Sequence, residues 1–136
     1  MKKLLVLLLS FALFGCSKSM ITPEILMNIA RNEGYIAGQL KAKEDMISHT
    51  QAIEKNGNIR IDFYEYETVD KSSEKFNEMQ EDLKNVSELK KSEDKIEYIR
   101  DRKHIYISKL DNTILKVSYN KEFEKNVKDI IDKIGY

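Results

Sequence analysis

Residues 50–68 read Thr50-Gln51-Ala52-Ile53-Glu54-Lys55-Asn56-Gly57-Asn58-Ile59-Arg60-Ile61-Asp62-Phe63-Tyr64-Glu65-Tyr66-Glu67-Thr68, and this stretch decides the fold. Asn56-Gly57-Asn58 is a tight-turn signal, because Asn and Gly accept the left-handed backbone that short hairpin loops demand. The flanking arms, 50–54 and 58–68, are therefore predicted to pair as antiparallel strands. In the second arm Ile59, Ile61 and Phe63 alternate with Arg60, Asp62, Tyr64 and Tyr66. Successive strand side chains point to opposite faces, so the first set goes to a core. The second face is amphipathic, and its two tyrosines either cover a neighbouring strand or meet a partner.

Upstream of the hairpin, Thr22-Pro23-Glu24 opens a helix with a capping hydroxyl, a proline at the first helical position and an acid in the first turn. Ile25, Leu26, Ile29 and Ala30 recur at helical spacing, and Gly34 is placed to end the helix in a left-handed conformation. Residues 35–39 are predicted to form a short strand, and 40–49 fit a brief helix or a loop equally.

Downstream, Asp70 is expected to cap a second helix whose apolar stripe is Phe76, Met79, Leu83 and Val86, with 86–95 a solvated helix end and loop. Three short strands follow at 95–100, 104–110 and 113–119. Asp111-Asn112 is a second hairpin turn, with Asn112 able to take a left-handed conformation. Asn120 is then predicted to cap a helix with Phe123, Val127, Ile130, Ile131 and Ile134 on one face, stopped by Gly135. The predicted order is α-β-β-β-α-β-β-β-α, an α+β fold in which helices pack on an antiparallel sheet. Each half has a helix followed by a three-strand meander, a symmetry that duplication and chance explain equally.

The first sixteen residues carry an address. Lys2 and Lys3 precede an apolar run that ends at Leu13-Phe14-Gly15-Cys16 and is interrupted only by Ser10. A membrane-spanning helix needs roughly 20 apolar residues, so this run suits a secretory signal instead. Leu13, Gly15 and Cys16 fit a lipobox, with cleavage between Gly15 and Cys16, whereas Phe14 departs from the small residue usual there. Cleavage by ordinary signal peptidase after Ser17 and an uncleaved anchor are the alternatives. Cys16 is the chain's one cysteine and cannot form an internal disulfide. A diacylglycerol thioether there, with acyl chains such as palmitate, would remove an exposed thiol and hold the protein to a bilayer. The expected organisation is a signal peptide over 1–15, a lipidated Cys16 with a short linker over 16–21, and one domain over 22–136. Ser17 to Ile21 is five residues, which reach at most about 18 Å, so the domain is expected to sit against the outer face of the cell membrane.

Without residues 1–15 the chain keeps 21 of its 23 basic residues against 23 acidic ones, a formal charge near −2. That balance is unlike the basic footprint of a nucleic-acid binder. Nineteen of the basic residues are Lys, and Ile, Asn and Glu are heavily used, a bias that suggests an AT-rich bacterial genome.

Ile21-Thr22-Pro23-Glu24 through Gly34-Tyr35, then Ile61-Asp62-Phe63-Tyr64-Glu65, Leu110-Asp111-Asn112-Thr113-Ile114 and the terminal Ile134-Gly135-Tyr136 together give the mature chain a resemblance. It resembles small uncharacterised lipoproteins of clostridia and related low-GC Gram-positive bacteria. These motifs are helix ends, a strand and a turn, so the resemblance implies one domain and carries over no active site. Lys109 and Lys116 depart from it, where such proteins more often have Arg and a β-branched or aromatic residue.

Chemistry is hard to find in the pattern. His49 and His104 stand in no metal-binding frame, and the five glycines form no nucleophile elbow, P-loop or dinucleotide fingerprint. Asp62, Glu65, Glu67 and Asp70 are close in sequence, but strand alternation scatters them, and a solvated strand edge accounts for them. The turn Arg100-Asp101-Arg102-Lys103 is either solvated or placed to meet anionic headgroups. Tyr64, Tyr66 and Tyr106 are the candidate partner surface if one sheet face is open, and core residues if helices cover both faces.

The expectation is a membrane-anchored, non-enzymatic binding domain of the cell envelope, with no cofactor, no metal and no nucleic acid. An immunity or exclusion lipoprotein that blocks a membrane-active partner is the alternative, and a hydrolase is a more distant one. Replacing Cys16 by Ser tests the anchor. Fractionation should show the protein released from membranes or held as unprocessed precursor, and unchanged alkali-resistant membrane association would refute lipidation.

Overall fold

The computed structural model describes residues 20–43 and 45–136, so Gly15, Cys16 and the rest of the leader lie outside the described residues. The described elements run α1 (Pro23–Asn32), β1 (Ile36–Leu40), β2 (Met46–Ile53), β3 (Ile59–Tyr66), α2 (Val69–Glu81), β4 (Ser87–Lys91), β5 (Lys95–Arg100), β6 (Lys103–Leu110), β7 (Thr113–Tyr119) and α3 (Glu124–Ile134). A short 3₁₀ turn, Lys121–Phe123, leads into α3. The strands form one antiparallel sheet in the spatial order β1-β2-β3-β7-β6-β5-β4. This is the α+β architecture expected from the sequence, in the expected order of helices and meanders.

Turn chemistry sets the registers. Gly57 takes φ +73°, and the Glu54 carboxylate closes the loop by accepting from the backbone N–H groups of Asn56 and Asn58. The hairpin then pairs Ile53 with Arg60 and Gln51 with Asp62. Residues 46–49, read as loop or helix, continue this strand: seven paired positions with β3 outweigh the weak local signal. At the second hairpin Asp111, not Asn112, is left-handed, at φ +50°. Asn112 uses its side chain instead, donating from Nδ2 to the Tyr66 carbonyl at 2.8 Å while its own carbonyl accepts from the Tyr66 N–H.

That clamp ends β3 at Tyr66, two residues before the predicted limit. Thr68 rather than Asp70 therefore caps α2, its hydroxyl accepting from the Lys71 N–H at 3.1 Å, and Asp70 falls in the first turn. Thr22 caps α1 and Gly34 follows its end at φ +85°, both as expected. Residues 87–91, within the segment read as solvated loop, form the edge strand β4, every residue of which is exposed. No apolar alternation marks it, because neither of its faces is buried.

Two cores lie on opposite sides of the sheet. On the first, Ile59, Ile61, Phe63, Leu115 and Val117 pack with Leu26 and Ala30 of α1 and with Val127, Ile130 and Ile134 of α3. On the second, Tyr66, Ile96, Tyr98, Ile107 and Ile114 pack around Phe76 of α2. The helices are staggered: α1 packs on β1 and β2, α3 on β7, and α2 on β3, β7 and β6. Tyr66, at 1% exposure, is therefore a core residue and not part of a partner surface. Its hydroxyl is buried with no hydrogen-bond partner among the described residues, and burial pushes its pKa well above the usual tyrosine range.

An unpaired buried hydroxyl costs stability, whereas the ring fills the core. Tyr66→Phe should leave the urea midpoint unchanged or raised, and Tyr66→Ala should cost about 3–5 kcal/mol. Equal losses in both variants would contradict this placement.

Candidate functional site

Among the described residues, the staggered helices leave part of each face uncovered. On the face that carries α2, the open half is built from β1, β2 and β3. The register and alternation place Ile36, Gly38 and Leu40 of β1, His49 and Gln51 of β2, and Arg60, Asp62 and Tyr64 of β3 side by side there. Ile36 is 72% and Leu40 46% exposed, and a Cβ built on Gly38 would meet nothing within 4 Å.

Asp62 sits at the centre, only 5% exposed. A buried carboxylate is costly unless it is paired and hydrogen-bonded, and every neighbour here serves that need. Oδ2 accepts from Arg60 Nε at 2.8 Å, and Oδ1 accepts from Gln51 Nε2 at 3.0 Å and lies 2.9 Å from His49 Nε2. Arg60 adds a longer contact of 3.4 Å from Nη2 to Oδ1. Burial alone would raise the Asp62 pKa, but the hydrogen bonds from Arg60, Gln51 and His49 and the Arg60 charge outweigh it and hold the carboxyl below its ordinary value. Tyr64 stacks on His49, with ring centroids 4.6 Å apart and planes at 31°. Burial, and then the Asp62 charge, pushes the Tyr64 pKa up to about 12, so its hydroxyl stays protonated.

The arrangement holds a carboxylate rather than presenting one. Among the described residues no serine, threonine or cysteine is hydrogen-bonded to His49, and no group of three or more His, Cys, Asp or Glu could hold a metal ion. What faces solvent is the outer part of Arg60, a minor part of Tyr64, which otherwise packs against the second core, and the apolar edge of β1. The sequence reading of Asp62 as a solvated edge residue is thereby corrected. Counting outward from Asn56-Gly57 pairs Gln51 with Asp62, and that count was the available signal.

The sequence-predicted tyrosines do not share a surface. Tyr64 lies on this open half and Tyr66 beneath α2. Tyr106 pairs with Val117 and so points to the other face, where it is 9% exposed. There it lines a groove of about 310 Å³ between α3 and the β5–β6 side of the sheet, with Tyr119, Tyr136, Glu97 and Lys128 among the walls. Arg100 is also committed, its guanidinium donating to the Asp82 carbonyl at 2.8 Å and stacking 5.3 Å from the Tyr98 ring centroid. It ties the end of α2 to β5.

The depressed pKa gives Asp62 a sign in stability. Its contribution is complete above the unfolded aspartate value, about 3.9, and is lost as pH falls through the lower folded value. Asp62→Asn should cost about 1–3 kcal/mol between pH 5 and 7, with the gap to wild type closing below about pH 4. Urea melts across that range test it, and a gap independent of pH would show that the carboxylate charge is irrelevant.

No family model matches the chain, and no curated protein matches it. The fold is similar to the crystal structure of a GTP binding regulator from Thermotoga maritima, with a TM-score of 0.51 and 10% sequence identity, over 83% of this chain and 84% of that one. At that identity the likeness describes the fold alone.

Proposed function

We propose that the protein is a lipid-anchored domain on the extracytoplasmic face of the cell membrane that acts by binding a protein or envelope component. The binding surface is the open half-face of β1, β2 and β3. One observation carries the reading: Ile36 and Leu40 stand exposed on an edge strand beside a fully partnered Asp62, on a part of the sheet face that no helix covers among the described residues. Exposed apolar residues beside a rigid polar patch are the composition of a recognition surface, with the apolar residues supplying contact and the polar ones register. Tyr64 and Arg60 belong to the residue types that most often dominate such contacts.

The anchoring part of the proposal rests on the leader, 1–16, and on the short linker behind it. The resemblance to small clostridial lipoproteins is consistent with it. Among the described residues no helix is long and apolar enough to cross a membrane.

The test is crosslinking in intact cells followed by mass spectrometry, comparing wild type with an Ile36→Glu, Leu40→Glu variant of the full chain. Both positions are exposed, so stability should change by about 0.5 kcal/mol or less each. Crosslinked partner should fall at least about tenfold, as expected when contact worth about 1.4 kcal/mol is removed. An unchanged crosslinking pattern in a folded variant would refute this surface.

A further inference from the structure

We infer that an apolar groove at the start of α1 lies on the lipid bilayer interface and sets the orientation of the domain; the inference rests on the anchoring reading above. The groove, of about 200 Å³, is lined by Met20, Ile25 and Ile29 on one side and Ile134 and Gly135 on the other, with Lys133 at its rim. Met20 is 56% and Ile25 44% exposed. Leu26 and Ala30 of α1 are fully buried and supply its contact with the core. Ile25 is therefore surplus to the core.

The position of the groove along the chain identifies what covers it. Met20 follows Cys16 by four residues, which reach at most about 14 Å. A lipid on Cys16 would hold this groove, before any other part of the domain, at the membrane surface. Apolar side chains held there enter the boundary between headgroups and acyl chains to a depth of roughly 5–10 Å. Lysine at the edge of such a patch keeps its charge among the headgroups while its stem lies along apolar surface. Lys133 has that placement, and its ammonium group is bonded to the Glu33 carboxylate.

The same geometry chooses between this groove and the basic turn at 100–103. Tyr136, next to Gly135, is hydrogen-bonded through its hydroxyl to Thr113, at the end of the sheet where Leu110 pairs with Thr113. The basic turn joins Arg100 to Lys103 at the opposite end. The eight-residue β6 separates the two, about 25 Å at the usual strand rise. The basic turn is thus directed away from the bilayer.

A photoactivatable diazirine residue at position 25 tests this in the full chain, in its native membrane, with position 74 on α2 as control. Both sites are exposed, so neither substitution disturbs a core. Phospholipid adducts should be at least about fivefold more abundant from position 25 than from 74. Equal labelling, or adducts from position 25 only to residues 17–19 or to a second copy of the chain, would overturn the inference. Mass spectrometry of the N-terminal peptide reads the anchor separately. A lipidated Cys16 with no phospholipid adduct at position 25 removes the inference alone, and an unlipidated Cys16 removes the anchoring reading and the inference together.

Discussion

The pairing of β3 with β7 is the constraint on which the rest of the structure depends. These two strands are the middle of the sheet, and their residues supply both cores. Ile59, Ile61 and Phe63 on one strand and Leu115 and Val117 on the other face α1 and α3, while Tyr66 and Ile114 face α2. A shift of one residue in this register would exchange the two faces of each strand, turning Ile61 and Phe63 away from α1 and α3 and setting Arg60 and Asp62 in their place. Side chains fix the pair at both ends. Asn112 bonds to the end of β3 at Tyr66, and Asn120 donates from Nδ2 to the Asn58 Oδ1 at 3.1 Å where β3 begins.

The unequal coverage of the sheet follows from that centre. Three helices do not suffice to shield both faces of seven strands, and each packs where apolar residues are densest, over or beside the central pair. The uncovered part of β2 and β3 is polar for a physical reason. On the open half of β2 and β3, apolar side chains would face water, so the positions hold His49, Gln51, Arg60 and Asp62. Placing a carboxylate there costs desolvation, which is offset only because strand geometry brings three donors to it. Rigidity is the consequence. A side chain with three partners on two strands cannot rotate freely, and Tyr64 is held by its stacking on His49.

Most of the fold was legible because it is written locally. Thr22, Gly34, Asn56-Gly57, Asp111-Asn112 and Gly135 mark element ends by their own backbone preferences, and alternation from Ile59 to Phe63 identifies a buried face. What escaped is what depends on distant partners. The β4 strand, Ser87–Lys91, has no buried face and exists because β5 offers it an edge. Tyr66 differs from Tyr64 only in that α2 lies over it, a tertiary fact that alternation places on the right face but cannot weigh. The site was legible in part. Alternation placed Tyr64 on that face as either surface or core, and the turn count already set Gln51 opposite Asp62, whereas His49 fell in a segment read as loop or helix and could not be brought to Asp62 without the register.

The two edges of the sheet bear on where the proposed partner would dock. Edge strands invite further strand pairing unless charge, bulges or cover prevent it. The β4 edge is defended by all of these except cover: its sequence is Ser-Glu-Leu-Lys-Lys, its pairing with β5 is irregular between Ser87 and Lys90, and Glu88 is left-handed at φ +52°. The β1 edge, Ile-Ala-Gly-Gln-Leu, has no charged side chain and no irregularity in its pairing. The Arg31 guanidinium reaches it, donating to the Ala37 carbonyl at 2.9 Å. One edge is thus protected thoroughly and the other left apolar, an asymmetry that supports the binding role proposed above. The unprotected edge borders the half-face that holds Asp62 and Tyr64, so backbone pairing and side-chain recognition would act on one partner at one place.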